Sequence, residues 1–434
     1  MSFSPDRRGG DIHPRTPTSQ LQQAFAEAEL RREFPIDLVC AVVGMSPSYV
    51  RRTVPHANST AALAEVLALL THDAFGETFV QRSAVPQYLL SLNESLPAAS
   101  LVQVDENSLL LGSARDVIAG MPPASVGCVV TSTPYWGTRL YDTSSSDRWA
   151  DGEISGLGDE QTPEGFIRHT CEILWLLRRV LVPDASVWWN VMDTYNTRTQ
   201  IRGNASETLK AMKGSDNRSW KEYERRRYSA GHSFLKDGEQ CLIPQRIAER
   251  ASRLGYFVKS VITWKKAGSL PETVSTRVTR ELEYVLHLSM QRSPFFDKSA
   301  FRRLPQALGG RNPQFEGDKL TDVWVLPTST GRGGHGAQFP LQLPARCIAL
   351  TTRPGDLVLD PFVGSGTACV AAAHLGRSYV GIDVSADYLE VARRRLREER
   401  LLPYWQVDGT EQRQTVRDAA NHRRQRRVPP HRRL

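Results

Sequence analysis

The sequence is poor in cysteine. The six, Cys40, Cys128, Cys171, Cys241, Cys347 and Cys369, lie far apart, with no Cys-x-x-Cys pair and no close run of Cys and His among the 434 residues. That excludes a zinc scaffold and a disulfide framework and points to a reducing compartment. The opening residues, Met-Ser-Phe-Ser-Pro-Asp-Arg-Arg, hold no apolar stretch of signal-peptide type. Later apolar runs are broken by charges such as Glu65 well before membrane-spanning length. A cytoplasmic protein without a membrane partner is expected. No internal repeat is visible, which sets aside solenoids and propellers.

What is present is an ordinary globular composition, 40% hydrophobic and 24% charged, with a net charge of +8. The surplus is concentrated at one end. Residues 411–434 carry eight arginines against Glu411 and Asp418, so the rest of the chain is nearly neutral. This tail has no aromatic residue and cannot bury enough apolar surface to fold alone. It suits sequence-independent attraction to phosphates, the alternative being a solvated tail with no partner.

Three regions separate by pattern. Residues 1–96 read as a helical N-terminal region, with helices expected over Leu21–Arg32 and Thr60–Leu70. Within it, an apolar helix from Ile36, a turn at Gly44 and a second start at Ser46-Pro47 resemble a helix-turn-helix, although the same pattern builds any helical hairpin. Residues 97–410 alternate short β-branched runs with amphipathic stretches. Strands are expected at 126–132, 186–191, 259–264, 282–288, 356–359 and 378–382, and helices at 166–180, 243–254, 366–374 and 386–397. This alternation predicts an α/β fold with a largely parallel, doubly wound sheet and ligands at the C-terminal strand ends. Within it, 194–240 reads as a basic insertion: residues 198–231 hold nine Lys/Arg against four acids, interleaved with Trp220, Tyr223 and Tyr228. That composition suits a nucleic-acid-facing segment or an exposed loop. Residues 289–330 are a second candidate recognition segment, and 411–434 form the expected disordered Arg-rich tail.

Two segments carry chemistry. The first is Val358-Leu-Asp-Pro-Phe-Val-Gly-Ser-Gly-Thr-Ala-Cys-Val-Ala-Ala372, followed by Gly376-Arg-Ser-Tyr-Val-Gly-Ile-Asp383. A strand ends at Asp360, Gly364 and Gly366 allow a tight turn against a ligand, and a helix starts near Thr367. The next strand ends in Asp383, where a ribose diol would find a carboxylate acceptor. The second is Val129-Val-Thr-Ser-Thr-Pro-Tyr-Trp-Gly137, a buried strand running out into a polar, aromatic turn. It resembles the catalytic loop of enzymes that methylate an exocyclic amino group, whose nitrogen, conjugated to its ring, is a poor nucleophile. The Ser132 oxygen and the carbonyl of residue 133 can accept its two N–H bonds and leave the lone pair aimed at an activated methyl.

These two segments resemble the S-adenosylmethionine site and catalytic loop of DNA amino-methyltransferases. The catalytic segment precedes the cofactor segment, the circularly permuted order of the beta group. Further similar segments are Trp188-Trp-Asn-Val-Met-Asp193, Ile243–Ala248, Gly255–Lys266, Leu270–Val274, Arg277–Leu286, Asp322–Pro327 and His335–Pro340, so the resemblance covers about residues 108–400. It implies a Rossmann-like methyltransferase sheet, S-adenosylmethionine as cofactor, and double-stranded DNA as partner with the target base flipped out. It also brings a cognate restriction endonuclease into view and a prokaryotic or phage origin, leaving monomer and homodimer open. Catalytic roles fall on Ser132, Thr133, Pro134 and Tyr135, the last stacking on the base. Cofactor contacts fall on Asp360, Phe362, Gly364, Gly366, Thr367 and Asp383, with no metal.

Two positions depart from the family pattern. Thr133 stands where the loop usually has proline, which implies lost rigidity. Gly112-Ser113 stands where Gly-Asp is common, which leaves Asp116 as a candidate replacement. His335 is expected to be a structural or loop residue, and Trp188 and Trp189 to be sheet packing. A loop beginning with Ser resembles the cytosine-N4 branch. The expected function is therefore a site-specific DNA (cytosine-N4)-methyltransferase, with an adenine-N6 enzyme or an inactive DNA-binding regulator of the same fold as alternatives.

Overall fold

The computed structural model describes residues 16–57, 59–92, 105–136, 147–196, 200–201, 226–227, 235–236, 238–266, 275–328 and 339–398. The tail at 411–434, His335 and most of the basic insertion lie outside the described residues.

In chain order the N-terminal region contributes helices α1 (Ile36–Val43), α2 (Pro47–Thr53) and α3 (Leu63–Leu70). There follow β1 (Ser108–Leu111), α4 (Ala114–Gly120), β2 (Val126–Ser132), α5 (Pro163–Val180), β3 (Leu181–Val191), α6 (Ile243–Arg253), β4 (Phe257–Lys266) and β5 (Leu282–Ser289). The last elements are β6 (Val323–Leu326), α7 (Gln342–Thr351), β7 (Leu357–Asp360), α8 (Thr367–His374), β8 (Ser378–Asp383) and α9 (Ala386–Glu398). The eight strands form one sheet in the order β6-β4-β5-β3-β2-β7-β8-β1. Only β5 runs against the rest, pairing antiparallel with β3 and β4, while every other neighbouring pair is parallel.

Helices cover both faces, as the unbroken apolar runs demand. Six of the seven residues of β2 are buried, which fits a strand covered on both sides. On one face α5 and α6 pack with the N-terminal helices in a single core that includes Val39, Leu67, Phe166, Leu174 and Ile247. On the other, α7 and α8 cover Trp188, Trp324 and Val130. Trp188 and Trp189 are both buried in the sheet, as expected. The α5 helix starts where its sequence says it should: Thr162 Oγ1 accepts the Gly165 N–H at 3.1 Å, Pro163 takes the first turn, and Arg178 and Arg179 close the last.

Three local expectations change. Leu21–Arg32 breaks into two short helices, Thr18–Gln22 and Glu27–Leu30. The helix expected from Thr60 starts only at Leu63, because Thr60–Ala62 pairs antiparallel with Glu33–Pro35 and the Thr60 hydroxyl donates to Glu33 at 2.8 Å. Part of 289–330 is core rather than open surface: the fully buried Arg346 on α7 holds the Gly309 carbonyl at 2.6 Å and the Glu316 carboxylate at 2.6 and 3.0 Å. A buried guanidinium so satisfied ties that segment to the sheet.

The helix, turn and helix expected at 36–53 are present, with Ser46 capping α2 through the Tyr49 N–H at 3.3 Å. The turn faces inward. Gly44 has φ +64°, and a Cβ there would lie 2.2 Å from the Gly76 carbonyl oxygen. Arg253 of α6 also donates to the Gly44 carbonyl at 3.3 Å, so the N-terminal region is clasped to the sheet at this turn. Gly44→Ala should therefore lose roughly 2–4 kcal/mol, combining the left-handed backbone cost with overpacking against backbone. Urea denaturation measures this, and a variant as stable as the wild type would remove Gly44 as the clasp.

Candidate active site

A cavity of about 400 Å³ opens over the C-terminal ends of β2, β7, β8 and β1. Ser132, Thr133, Pro134 and Tyr135 line one side, and Asp360, Phe362, Gly364, Thr367 and Asp383 line the other. Gly366, the remaining residue expected at the cofactor, does not line it. Its φ is +85° and a Cβ would fall 2.9 Å from the Ala392 Cβ, so glycine is required there by the packing of α8 against α9.

The two sides are joined under the floor. Asp360 is 2% exposed, and its Oδ1 accepts the Thr131 hydroxyl at 2.6 Å and the Phe362 N–H at 3.1 Å. Burial lifts its carboxyl to about 7, with the nearby Asp383 adding to the rise and the two hydrogen bonds opposing it. Asp383 is held by backbone: Gly364 N–H donates to Oδ2 and Ser385 N–H to Oδ1, each at 2.9 Å. Burial also raises its carboxyl above the ordinary range. The Val384 N–H also bears on this carboxylate, which keeps acceptor capacity for a ligand. Gly364 has φ +48° and a Cβ there would meet nothing within 4 Å, so the backbone faces open cavity.

The loop at 132–135 is braced by residues that carry no expected role. Asn190 of β3 donates through its side-chain amide to Ser132 Oγ at 3.3 Å, to Tyr135 Oη at 2.8 Å and to Glu283 Oε2 at 2.8 Å. Ser132 Oγ donates to Tyr135 Oη at 3.2 Å, and Tyr135 Oη donates in turn to Glu283. Lys266 Nζ reaches the other oxygen of Glu283 at 2.5 Å. Tyr135 therefore keeps its ring at the cavity while its hydroxyl is anchored in the floor. The Thr133 N–H donates to the Asn190 carbonyl at 3.2 Å, a bond proline could not make, so the expected loss of rigidity at this position is offset. Trp136, buried, donates from its indole to the Glu160 carbonyl at 3.0 Å and anchors the end of the loop. Asn190 and Glu283 could have been found as polar residues interrupting apolar strands, which is costly unless they are paired or used, whereas Lys266 sits at the charged end of β4.

The remaining lining comes largely from a hairpin, from α4 and from the start of α9. Asp147 and Trp149, on a two-stranded hairpin pairing 147–148 with 154–155, line the cavity together with Arg115, Leu157, Val384, Asp387 and Tyr388. Asp116, the candidate replacement near Ser113, does not: it is exposed and sits 3.4 Å from Arg115. Beneath the hairpin, His169 meets Glu160 through Nδ1 at 3.0 Å and Asp151 through Nε2 at 3.3 Å. These carboxylates raise its imidazolium to about 9 against the opposing effect of burial, and Asp151 is held down at about 2. Asp151, Glu153 and His169 are the one cluster among the described residues with metal-ligand chemistry, and both His169 nitrogens are already engaged by carboxylates, Nε2 by Asp151 within the cluster and Nδ1 by Glu160 outside it.

Residues 126–394, which contain the ends of β2, β7 and β8 at the cavity, match the DNA methylase family of N6/N4 methyltransferases. The chain belongs to that family: it is a DNA methyltransferase of the N4/N6 kind. It is 30% identical over 326 residues to Type II methyltransferase M.Cfr9I of Citrobacter freundii, spanning 74% of this chain and 96% of that protein. It is 31% identical over 297 residues to Type II methyltransferase M.XycI of Xanthomonas campestris pv. cyanopsidis, spanning 67% and 87%. Among solved structures it is similar to the cytosine-N4-specific PvuII DNA methyltransferase, with 16% identity, a TM-score of 0.47, and 68% and 88% of the two chains covered. Among the described residues no helix is long and apolar enough to cross a membrane.

The Asp360 carboxyl makes stability pH-dependent in a defined direction. Its pKa is raised on folding, so the native state holds a proton that the unfolded chain has released between about pH 4 and about pH 7. The Asp360 contribution falls as pH rises through that window and is flat above it. Asp360→Asn should gain stability relative to the wild type across the same window. Denaturant midpoints at several pH values measure this, and a constant difference from pH 4 to pH 8 would mean that the carboxyl is not perturbed.

Proposed function

We propose that the chain is a site-specific DNA (cytosine-N4)-methyltransferase, which moves a methyl group from S-adenosylmethionine to the exocyclic amino group of a flipped cytosine. The observation that carries the reading is the Ser132 hydroxyl, held at the cavity between Asn190 and Tyr135. A hydroxyl that accepts one bond from Asn190 and donates its own proton to Tyr135 keeps one lone pair for a substrate N–H. The Thr133 carbonyl supplies the second acceptor. With both N–H bonds held, the nitrogen lone pair is directed at the methyl and its pyramidal transition state is favoured. The Tyr135 ring, fixed by its hydroxyl, offers the stacking face for an extruded base.

The cofactor fits the lining. S-adenosylmethionine carries a sulfonium and an ammonium against one carboxylate, and the cavity presents Asp147, Asp360, Asp383 and Asp387 against Arg115, whose own guanidinium is paired with Glu172 at 2.7 Å. When bound, the sulfonium supplies an already activated methyl. The chain's work is positioning: Asp383 accepts the ribose hydroxyls, Gly364 lets backbone approach closely, Phe362 gives apolar contact, and Ser132 with Thr133 orients the amine. One N–C bond forms as one S–C bond breaks, and the amine nitrogen then releases a proton. The Type II relatives support placing the chain in a restriction-modification system, with double-stranded DNA as substrate.

Asp383→Ala should weaken S-adenosylmethionine binding by about 1–3 kcal/mol, the loss of hydrogen bonds to a charged acceptor, and Gly364→Val should abolish it by filling the open approach. Calorimetry giving wild-type affinity for both folded variants would remove this cofactor site.

Ser132→Ala should leave cofactor affinity near the wild-type value and sharply lower methyl transfer, because the lost contact matters most as the nitrogen pyramidalises. Nucleoside mass spectrometry of DNA from a methylation-free host expressing the wild type identifies the base. N4-methylcytosine supports the assignment, N6-methyladenine alone overturns the choice of base, and no methylated nucleoside overturns the enzyme in favour of a DNA-binding regulator.

A further inference from the structure

We propose that Asp147, on the hairpin after the catalytic loop, accepts the 6-amino group of the cofactor's adenine and so makes the site specific for adenine over other purines. This rests on the cofactor reading above, in which Ser132 marks the methyl end and Asp383 the ribose. Strands β2, β7, β8 and β1 lie side by side and parallel, so their C-terminal ends form one row: Ser132, Asp360, Asp383, then Leu111 and Gly112. S-adenosylmethionine is linear in the same sense, with the methyl-bearing sulfur joined to ribose and ribose joined to adenine. With the methyl over β2 and the ribose at β8, the purine falls over the end of β1.

The chemistry waiting there suits its edge and faces. The Gly112 N–H donates to the Asp383 carbonyl at 2.9 Å, which brings the end of β1 against the ribose site. Ser113 caps α4 through the Arg115 N–H at 3.2 Å and gives its hydroxyl proton to the Asp147 carboxylate. The other lining acids are placed elsewhere: Asp360 is bonded to Thr131 beneath the floor, Asp383 sits at the ribose, and Asp387 is exposed in the first turn of α9. Asp147 is the half-buried carboxylate at the β1 end, and desolvation raises its carboxyl, a state relieved by a neutral N–H donor. Val384, 40% exposed, and Leu157 offer apolar surface to the ring faces.

Asp147 also sits on a stiff element. Trp149 donates its indole N–H to the Ser155 carbonyl at 2.9 Å and stacks on His169 with ring centroids 4.2 Å apart. Arg168 holds Asp151 at 2.7 Å, and the Ala150 N–H reaches Glu172 at 2.8 Å. An acceptor fixed before the ligand arrives discriminates better than one that must be ordered on binding.

Calorimetry with S-adenosylhomocysteine and S-inosylhomocysteine, which differ in the 6-amino against a 6-oxo group, tests this without turnover. The wild type should bind the adenosyl probe roughly 10- to 100-fold more tightly, the range for a hydrogen bond to a charged acceptor. Asp147→Ala should bring the ratio near one, and Asp147→Asn, whose amide can donate or accept, should bind the two probes comparably. Asp383→Ala should weaken both together and leave the ratio intact. A wild-type ratio near one, or a wild-type ratio retained by Asp147→Ala, overturns the proposal. If Asp147→Ala fails to fold by circular dichroism, a wild-type ratio retained by Asp147→Asn overturns it. Unchanged affinities in Asp383→Ala, together with a ratio that depends on Asp147, would sink the ribose assignment and leave Asp147 standing.

Discussion

One buried hydrogen bond, from Thr131 to Asp360, sets the terms for the rest of the site. It crosses between β2 and β7, neighbours in the sheet, joins residues 229 apart in the chain, and fixes the strand end bearing the loop at 132–135 against the strand end bearing the glycine turn. Methyl transfer in line requires donor and acceptor to be held within a fraction of an ångström, and no flexible tether could supply that. The floor of the cavity is thus a single covalently remote but mechanically continuous piece. A carboxylate with no cation beside it is an expensive way to build such a joint, and the raised Asp360 pKa records that expense.

The antiparallel β5 does a different job. Lying next to β3, it brings Glu283 under Asn190 and Tyr135, and with Lys266 from β4 it completes a polar floor fed by three strands. The catalytic loop is stiff because of what lies beneath it rather than through its own covalent structure. Threonine at 133 is compatible with that design, since its backbone N–H becomes one more brace.

How much of this was legible in the sequence follows from how local each signal is. Val126–Ser132 was readable to the residue because an apolar run ending in polar and aromatic residues is complete within itself. Asp360, Gly364 and Asp383 were readable because a glycine turn between strand and helix has few other uses, and all three line the cavity. Gly366 reads in the sequence as a ligand contact, its conformation and its neighbour Ala392 give glycine a packing reason as well, and sequence alone does not separate the two. Asn190 and Glu283 give only the weak signal of a polar residue in a largely apolar strand, Lys266 at the charged end of β4 gives none, and their meeting depends on strand order. Strands as short as 108–111 and 323–326 lack the length for a periodic signal, and the hairpin carrying Asp147 was invisible for the same reason.

The acidic lining of the cavity has a consequence of its own in a chain whose net charge is +8. In the proposed reading a polyanion and a small cation must both be held, and the fold keeps their fields apart by depth. A lining with Asp147, Asp360, Asp383 and Asp387 against Arg115 favours the cation over phosphate, while the positive balance is left to the rest of the chain. Ionic strength then acts on the two ligands unequally. Counterions in solution screen long-range attraction to a polyanion but reach a walled chamber poorly, so the duplex can be released by salt while the small cation stays in place.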